Sequence, residues 1–250
     1  MYKLLVTLLM FSAINPAYGI ETEKTIIMAS ETINNKMTTV EKRARGAAVK
    51  VIDNYDGTHG SGTLILYKDL QLVLTAAHVT PRVPGTEYDV ERGTEKLKGI
   101  VIYSDHYKDI SVLYLPETFK KIKPIKFSPV EGILEVGEEI TYSGYPSDHQ
   151  LMTLRARVIG YEAPDGMGTQ MIIHTYGWFG CSGAGVFDAK GNIIGIIWGI
   201  DIEYRYEHAH IVEDLMWVTP IKNLKIDDAI LILCNIGNVI ENVSDLKACQ

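Results

Sequence analysis

The stretch LVLTAAH, from Leu72 to His78, is the starting point for the fold, because it has the pattern of a short apolar β-strand that ends in a histidine beside small alanines. Similar β-rich runs follow one another from Ala47 to about Pro220, and turn residues such as DAKGN at 188–192 separate them. The runs are 48–52, 63–67, 72–75, 100–103, 111–115, 140–143, 151–159, 171–174 and 193–198. Many short strands at near-regular spacing predict an all-β antiparallel sandwich or barrel.

The pattern changes after Pro220. From about Leu224 to Ile240 the apolar residues recur every three or four positions, which predicts a helix docked on the β body. Only 30 residues follow Pro220, fewer than the roughly 50 that an independent domain needs. We therefore expect residues 223–250 to form a C-terminal helical extension.

The amino terminus has the pattern of a secretory signal peptide. Lys3 precedes an apolar run of 11 residues from Leu4 to Ile14, and small residues follow at 17–19. A membrane-spanning helix needs about 20 apolar residues. We therefore expect residues 1–19 to be cleaved, the mature chain to be secreted or periplasmic, and no stable membrane anchor to remain. Residues 20–45 form a polar lead-in, and the sequence leaves open whether it is a pro-segment or a linker.

Charge and cysteine content exclude some classes of partner. The net charge of −7 makes the chain a poor phosphate binder, so nucleic acid is not an expected partner. Two short basic clusters, at 42–45 and 120–123, are interpreted as solvated faces. The three cysteines do not have the spacing of a zinc site, and we expect neither a metal nor an organic cofactor. In an oxidising compartment Cys234 and Cys249 can bridge, which would leave Cys181 free.

The segment GCSGAG, at 180–185, carries a candidate nucleophile, Ser182. Serine is a weak nucleophile unless a neighbouring base takes its proton and backbone N–H groups hold the oxyanion. Glycines on both sides permit a tight turn and a close approach of substrate backbone. A string of this kind also occurs in ordinary turns.

A candidate base and a candidate acid precede the serine. His78 ends the strand quoted above, where its ring can turn into a cleft. Asp109 opens the apolar run DISVL, and a carboxylate near a core needs a partner such as a histidine N–H to offset its desolvation. Asp105 is the nearest alternative acid, but it lies in a polar stretch and is interpreted as a surface residue.

These segments together resemble the chymotrypsin-like (trypsin-like) serine proteases, whose triad has the same chain order. The matching signature segments are TAAH at 75–78, DISVL at 109–113 and GCSG at 180–183. Further similar segments are GSGT at 60–63, VGE at 136–138, SGYP at 143–146 and IIGIIWG at 193–199. The likeness is closest to bacterial proteases of the HtrA and glutamyl-endopeptidase type and covers about residues 46–222. It implies two antiparallel β-barrels, about 46–125 and 126–222, with the active site between them.

The resemblance implies a role for each matching residue. His78, Asp109 and Ser182 would form the catalytic triad, and the amides of Gly180 and Ser182 would form the oxyanion hole. The expected substrate-binding residues are Tyr176, Ile197, Trp198 and Gly199.

Three positions depart from the family pattern. Cys181 replaces the aspartate that pairs with a newly freed amino terminus in trypsin-type zymogens, so activation by that ion pair is not expected. Tyr176 replaces the residue that sets charge preference in trypsin, which favours an apolar or small substrate side chain. Ile197 replaces a serine that contacts the triad aspartate in the family.

We therefore predict a serine endopeptidase that hydrolyses polypeptide substrates through an acyl-enzyme. Two alternatives stay open. One is a catalytically silent peptide-binding module of the same fold, since a fold does not guarantee a function. The other is an esterase with the same triad. The sequence leaves the oligomeric state undetermined.

Overall fold

The computed structural model describes residues 36–128, 130, 132–147, 149–164, 166–205, 208–236 and 246–249. The predicted signal peptide, 1–19, lies outside the described residues, as does 20–35 of the predicted lead-in. In the described part of the chain, no helix has the length and apolar character needed to cross a membrane.

The first barrel follows a short helix, α1, at Thr39–Ala47. Its strands are β1 (Ala48–Ile52), β2 (His59–Tyr67), β3 (Leu70–Thr75), β4 (Glu87–Arg92), β5 (Glu95–Asp105) and β6 (Ile110–Tyr114). They are hydrogen-bonded in the order β1-β4-β5-β6-β3-β2, and a β1–β2 pairing closes the six-stranded barrel. A two-residue strand, β7 (Ile125–Lys126), adds to β2 in parallel. Side chains such as Val49, Leu64 and Leu113 are completely buried and fill the interior.

The second barrel is closed in the order β10-β13-β12-β11-β8-β9. Its strands are β8 (Glu139–Gly144), β9 (Met152–Glu162), β10 (Gln170–His174), β11 (Gly185–Phe187), β12 (Ile193–Arg205) and β13 (His208–Pro220). Tyr142, Val158 and Val186 are among the residues that fill this interior. The strands β12 and β13 pair along a long hairpin, with register shifts near Trp198 and Ile200.

A third apolar cluster joins the two barrels to the helices. It contains Leu72 of the first barrel, Ile196 of the second, Ala44 of α1 and Leu233 of the C-terminal helix α2, Ile226–Ile236. Burying apolar surface on one side of a helix is what holds so short an element in place. A disulfide between Cys234 and Cys249 ties the end of α2 to the described residues that follow.

The predicted fold class is confirmed: the protein is built of two antiparallel β-barrels with a C-terminal helix. The helix was predicted from about Leu224 to Ile240, and the structure has it at Ile226–Ile236, after a 3-10 turn at Ile221–Asn223. Residues 237–240 of the predicted helix lie outside the described part.

The helix α1 is fastened to the second barrel by polar contacts. Thr38 and Glu41 form a reciprocal capping box at its start, which satisfies N–H groups that have no partner within the helix. The Glu41 carboxylate also accepts two hydrogen bonds from Arg155 of β9, at 2.9 and 3.1 Å. The Arg155 hydrogen bond, followed by those from Thr38, lowers the pKa of Glu41 from 4.5 to about 2. Arg45 donates to the Leu151 carbonyl at 2.8 Å, which holds the other end of the helix.

Candidate active site

His78 lies in the 3-10 turn Ala77–Val79, directly after β3. The preceding Ala76 and Ala77 are fully buried, so their small side chains allow the turn to lie close against the barrel. The Thr80 hydroxyl donates to Ser111 Oγ at 2.7 Å, which fastens the end of the turn to β6. The His78 side chain remains about half exposed, so its ring is accessible from the surface.

Asp109 holds His78 by two hydrogen bonds. Its Oδ2 lies 2.6 Å from His78 Nδ1, and its Oδ1 accepts the His78 backbone N–H at 2.8 Å. A carboxylate oxygen only accepts, so His78 Nδ1 carries the proton and Nε2 is left as the acceptor of the neutral ring. Asp109 has a φ of 53°, in the left-handed region that aspartate tolerates better than most residues. The turn thereby directs the carboxylate toward the histidine.

Asp105, the alternative acid, has a different role. Its Oδ1 accepts the backbone N–H groups of Tyr107 and Lys108, and its Oδ2 lies 3.5 Å from Lys108 Nζ. It caps the turn that leads to Asp109 and makes no hydrogen bond to His78 among the described contacts.

Ser182 is supplied by the second barrel, and its main chain contacts the first. The Ser61 N–H of β2 donates to the Ser182 carbonyl at 2.7 Å. A Cβ at Gly60 would lie 2.9 Å from the Ser182 carbonyl oxygen and 2.5 Å from Val79 Cγ2, so only glycine fits there. The serine main chain and the His78 turn therefore meet across Gly60.

The hydroxyl of Ser182 donates to the Trp198 carbonyl, at 3.5 Å. Within the described residues it makes no hydrogen bond to His78. Catalytic hydrogen bonds are often long or absent before substrate binds, and a rotation about one side-chain bond redirects a serine hydroxyl.

Two N–H groups of the turn that carries Ser182, at residues 180–183, have no acceptor among the described residues. The Phe179 carbonyl accepts from Ser147 N at 2.6 Å. Because the C=O and N–H of a trans peptide unit point in opposite directions, the N–H of Gly180 points away from Ser147. Among the described residues, neither Gly180 N–H nor Ser182 N–H donates to a protein acceptor. Gly180 has a φ of 90°, which glycine adopts at no steric cost.

Ser61 is a site residue that the sequence analysis noted only as part of the similar segment GSGT. Its hydroxyl donates to the Gly180 carbonyl at 2.6 Å and accepts the Tyr145 N–H at 2.9 Å. Its own carbonyl accepts from the Thr75 hydroxyl at 2.7 Å. Ser61 therefore links β2 and β3 of the first barrel to the turn that carries Ser182. No local pattern identifies this role, because every partner of its hydroxyl is distant in sequence.

Cys181 is fully buried and makes no disulfide, as expected if Cys234 and Cys249 bridge. Burial raises the pKa of its thiol to about 12. The thiol therefore stays protonated at neutral pH, and a protonated thiol is a poor nucleophile. Ser182 is thus the nucleophile candidate of this turn.

The predicted substrate-binding residues differ in exposure. Tyr176 is exposed and stacks on Trp178, with ring centroids 5.3 Å apart. Trp198 is partly buried, and its indole N–H donates to Gln170 Oε1 at 3.1 Å. The space next to Gly199 is open, with no atom within 4 Å of where a Cβ would lie.

Ile197 does not fit the predicted substrate contact. Its side chain is completely buried in the core of the second barrel. Its N–H donates to the Ala184 carbonyl at 2.9 Å, and its C=O accepts from Gly183 N at 2.7 Å. Both backbone groups and the side chain are therefore occupied, and the residue supports the nucleophile turn from behind.

The space behind Tyr176 is narrow. A Cβ at Gly177 would lie 2.5 Å from Ile200 Cγ2 and 3.1 Å from Met216 Cγ, so apolar side chains already fill this region. A wider groove of about 730 Å³ begins at Tyr176 and runs along β10 and the β12–β13 hairpin, with His174, Glu213 and Asp214 among its lining residues. Apolar side chains therefore fill the space behind Gly177, and the wider groove begins at the neighbouring Tyr176.

Comparison with known families agrees with this fold. The model of the trypsin-like peptidase domain matches residues 60–196, more than half of the chain. The protein therefore belongs to the trypsin-like peptidase family. It is a serine endopeptidase, as predicted. No curated protein sequence matches the chain.

Solved protease structures share the fold. The inactive form of the protease Rv3671c from M. tuberculosis, in a serine-to-alanine mutant, aligns with a TM-score of 0.56 at 19% identity, covering 81% of this chain and 92% of that one. Its active form aligns with a TM-score of 0.57 at 19% identity, covering 73% and 79%. The HtrA-type protease AlgW, solved with a tripeptide, aligns with a TM-score of 0.58 at 20% identity, covering 72% and 58%. At such identities the likeness shows the two-barrel fold.

Proposed function

We propose that His78, Asp109 and Ser182 form a catalytic triad that hydrolyses peptide bonds through an acyl-enzyme. The observation that carries the proposal is the double hydrogen bond of Asp109 to the backbone and ring of His78, at 2.8 and 2.6 Å. It holds the imidazole in the tautomer whose Nε2 is free to accept a proton. A surface histidine without a catalytic role has no need of this restraint.

In the first half of the reaction, Ser182 Oγ attacks the scissile carbonyl carbon while His78 Nε2 takes the hydroxyl proton. The imidazolium that forms is stabilised by the Asp109 carboxylate at Nδ1. The carbonyl oxygen becomes an oxyanion, which the free N–H groups of Gly180 and Ser182 would bind. His78 then gives its proton to the amide nitrogen, the C–N bond breaks, and the amine product leaves an ester on Ser182.

In the second half, water replaces the amine. His78 Nε2 takes a proton from the water as its oxygen attacks the ester carbon, and the same two N–H groups bind the second oxyanion. The C–O bond to Ser182 breaks, and the proton returns from His78 to Ser182 Oγ. The free enzyme and a carboxylic acid product result.

Substrate backbone would bind along one edge of β12. This strand pairs with β11 only as far as Ile196, so from Trp198 onward the edge opposite β13 is open among the described strands. An extended peptide can add to such an edge through main-chain hydrogen bonds, while pockets select side chains. The open space beside Gly199 leaves room for this approach. The apolar side chains packed around Gly177 favour a small or apolar substrate side chain, and a peptide-library cleavage profile tests that preference.

Export to the periplasm or the exterior is part of the proposal. The Cys234–Cys249 disulfide supports it, because disulfides form and persist in oxidising compartments. Amino-terminal sequencing of the mature protein from its native host tests it. A chain that starts near Ile20 is expected, and a chain that retains Met1 would contradict export with cleavage.

Covalent labelling by a fluorophosphonate probe tests the triad. We expect the full chain to be labelled and the Ser182→Ala variant, checked for folding by circular dichroism, to remain unlabelled. A folded wild-type protein that resists the probe would favour the silent binding module. Hydrolysis of small esters without cleavage of unfolded casein would favour the esterase.

A further inference from the structure

The two basic clusters noted in the sequence meet in the folded protein. Lys42 and Arg43 of α1 face the segment Lys121–Lys126 across a groove of about 630 Å³. Six basic side chains line this groove, namely Lys42, Arg43, Arg92, Lys121, Lys123 and Lys126. All except the half-buried Arg92 belong to exposed residues. We name this feature the basic groove.

Basic residues elsewhere in the described structure are often paired with carboxylates. Lys96 and Lys98 both contact Asp89 at 2.7 Å, and Arg155 contacts Glu41 at 2.9 Å. These pairs compensate charge locally, as is common for surface residues.

None of the six cations of the basic groove lies in an ion pair with a described carboxylate. Lys121 Nζ donates to the Thr94 hydroxyl at 2.8 Å, and Arg92 donates to the Arg45 carbonyl at 2.9 Å, which are neutral acceptors. The nearby Glu95 carboxylate accepts the backbone N–H groups of Lys120 and Lys121 at 3.0 Å. The groove therefore carries positive charge that no ion pair among the described residues neutralises.

This concentration of charge stands out in a chain of net charge −7. Like charges held together destabilise the compact state and attract counter-ions. The effect is visible at Arg45, next to the groove, where burial and then the positive charge of Arg92 lower the pKa of the guanidinium. A cluster of this kind therefore provides binding energy for an anionic partner.

We infer that the basic groove is an exosite that binds an acidic segment of the polypeptide substrate. That the bound segment belongs to a substrate rests on the proposed peptidase function. Binding of an acidic peptide to the groove does not itself require catalysis. A concave groove fits an extended chain better than a flat membrane, and the side chains of Ile122 and Pro124 in its lining can contact apolar substrate residues. The negative charge of the protein as a whole opposes binding to long polyanions such as nucleic acid.

Binding of a fluorescent oligoglutamate peptide to the full-chain Ser182→Ala variant tests the exosite without turnover. Fluorescence anisotropy at low salt measures Kd. The double substitution Lys42→Gln/Lys123→Gln removes one cation from each side of the groove, and neither side chain makes a described hydrogen bond or ion pair. The matched control, Lys222→Gln/Lys225→Gln, removes the same charge from exposed residues outside the groove.

We expect the groove variant to bind the peptide about tenfold more weakly and the control to bind within about twofold of the parent. Affinity should also fall as salt rises from about 50 to 200 mM. Equal losses in the two double variants, or no binding at low salt, would overturn the exosite. Groove-dependent binding of phosphatidylserine vesicles or a DNA duplex, without binding of oligoglutamate, would overturn the assignment to an acidic peptide. If the wild-type protein were not labelled by the fluorophosphonate probe but the oligoglutamate peptide still bound, the result would contradict the triad and leave the exosite standing.

Discussion

The two barrels contribute two different parts of the proposed active site. The first barrel supplies His78 and Asp109, which are already joined by two hydrogen bonds of 2.6 and 2.8 Å. The second supplies Ser182, whose hydroxyl donates to the Trp198 carbonyl, at 3.5 Å. The acid–base half is thus preformed within one barrel, whereas the nucleophile half depends on contacts between barrels. This difference predicts which substitutions impair the chemistry and which impair the assembly of the site.

The largest effect on kcat is expected from breaking the preformed Asp109–His78 pair. Asp109→Asn leaves the shape of the turn but offers an N–H where His78 Nδ1 needs an acceptor, which favours the wrong tautomer. We expect kcat to fall by about 10⁴-fold, with circular dichroism and the melting temperature nearly unchanged. Asp105→Asn is the control, because Asp105 caps the same turn without reaching His78, and its kcat should stay within about threefold of wild type. Near-normal turnover of Asp109→Asn would remove the acid from the triad.

A smaller effect on kcat is expected from breaking the contacts between the barrels that position the Ser182 turn. Ser61→Ala removes the hydroxyl that bonds Gly180 O and Tyr145 N, and leaves both groups unpaired. Displacing the nucleophile turn by about an ångström should lower kcat by roughly 10–100-fold. Because the two N–H groups act on the transition state, KM should change little.

Steady-state kinetics on a peptide substrate separates kcat from KM for this variant. Ser128→Ala, at an exposed serine outside the site, is the control and should behave as wild type. If Ser61→Ala lowered only thermal stability while kcat persisted, Ser61 would be a structural residue of the barrel contact.

A still smaller effect is expected at α1, where Glu41 bonds to Arg155 of the second barrel. The pKa of Glu41 is lowered to about 2 in the folded protein against 4.5 for an unperturbed glutamate. A depressed carboxyl pKa contributes stability above the unfolded value, and that stability is lost as the pH falls from about 4.5 to 2. Glu41→Gln should therefore lower the free energy of unfolding by about 1 kcal/mol or less at pH 7, with the difference vanishing near pH 2.

Urea unfolding of the Glu41→Gln variant and the wild type at several pH values measures this difference in the free energy of unfolding. Glu117→Gln, at an exposed carboxylate with no described ion pair, serves as the control. A stability difference for Glu41→Gln that did not depend on pH would show that the contact acts through packing instead of charge.

We expect no effect on activity when an alkylating reagent is offered to the buried thiol of Cys181, next to Ser182. Burial raises the pKa of Cys181 to about 12, so iodoacetamide at pH 7.5 should neither modify it nor reduce activity. Mass spectrometry detects modification, and the same reagent in urea is the positive control. Rapid alkylation of Cys181 in the folded protein, with loss of activity, would show that its thiol is reactive.

Local sequence was enough to locate the elements that carry chemistry. The apolar run before His78, the acid opening a strand at Asp109 and the glycines around Ser182 each impose a short-range conformation. Their chain order carried the resemblance to the chymotrypsin-like proteases, and the two barrels that this resemblance implies are present in the structure. The catalytic roles themselves stay predictions until the labelling and kinetic experiments are done.

Contacts between distant segments could not be predicted in this way. The sequence around Ser61 indicates an ordinary strand residue, and only the fold brings its hydroxyl to Gly180 and Tyr145. Ile197 was expected at the substrate, but its side chain is completely buried in the core of the second barrel. The basic clusters looked like separate solvated faces, and only the fold brings them together in one groove.

The reason for this division is physical. Strand periodicity, turn glycines and an acid that requires a partner depend on neighbours within a few residues, so the chain encodes them locally. Three outcomes depend on how the two barrels and α1 pack together: which distant backbone group satisfies a hydroxyl, which side chains of a strand enter a core, and which charges share a groove. Those outcomes exist only once the tertiary structure has formed.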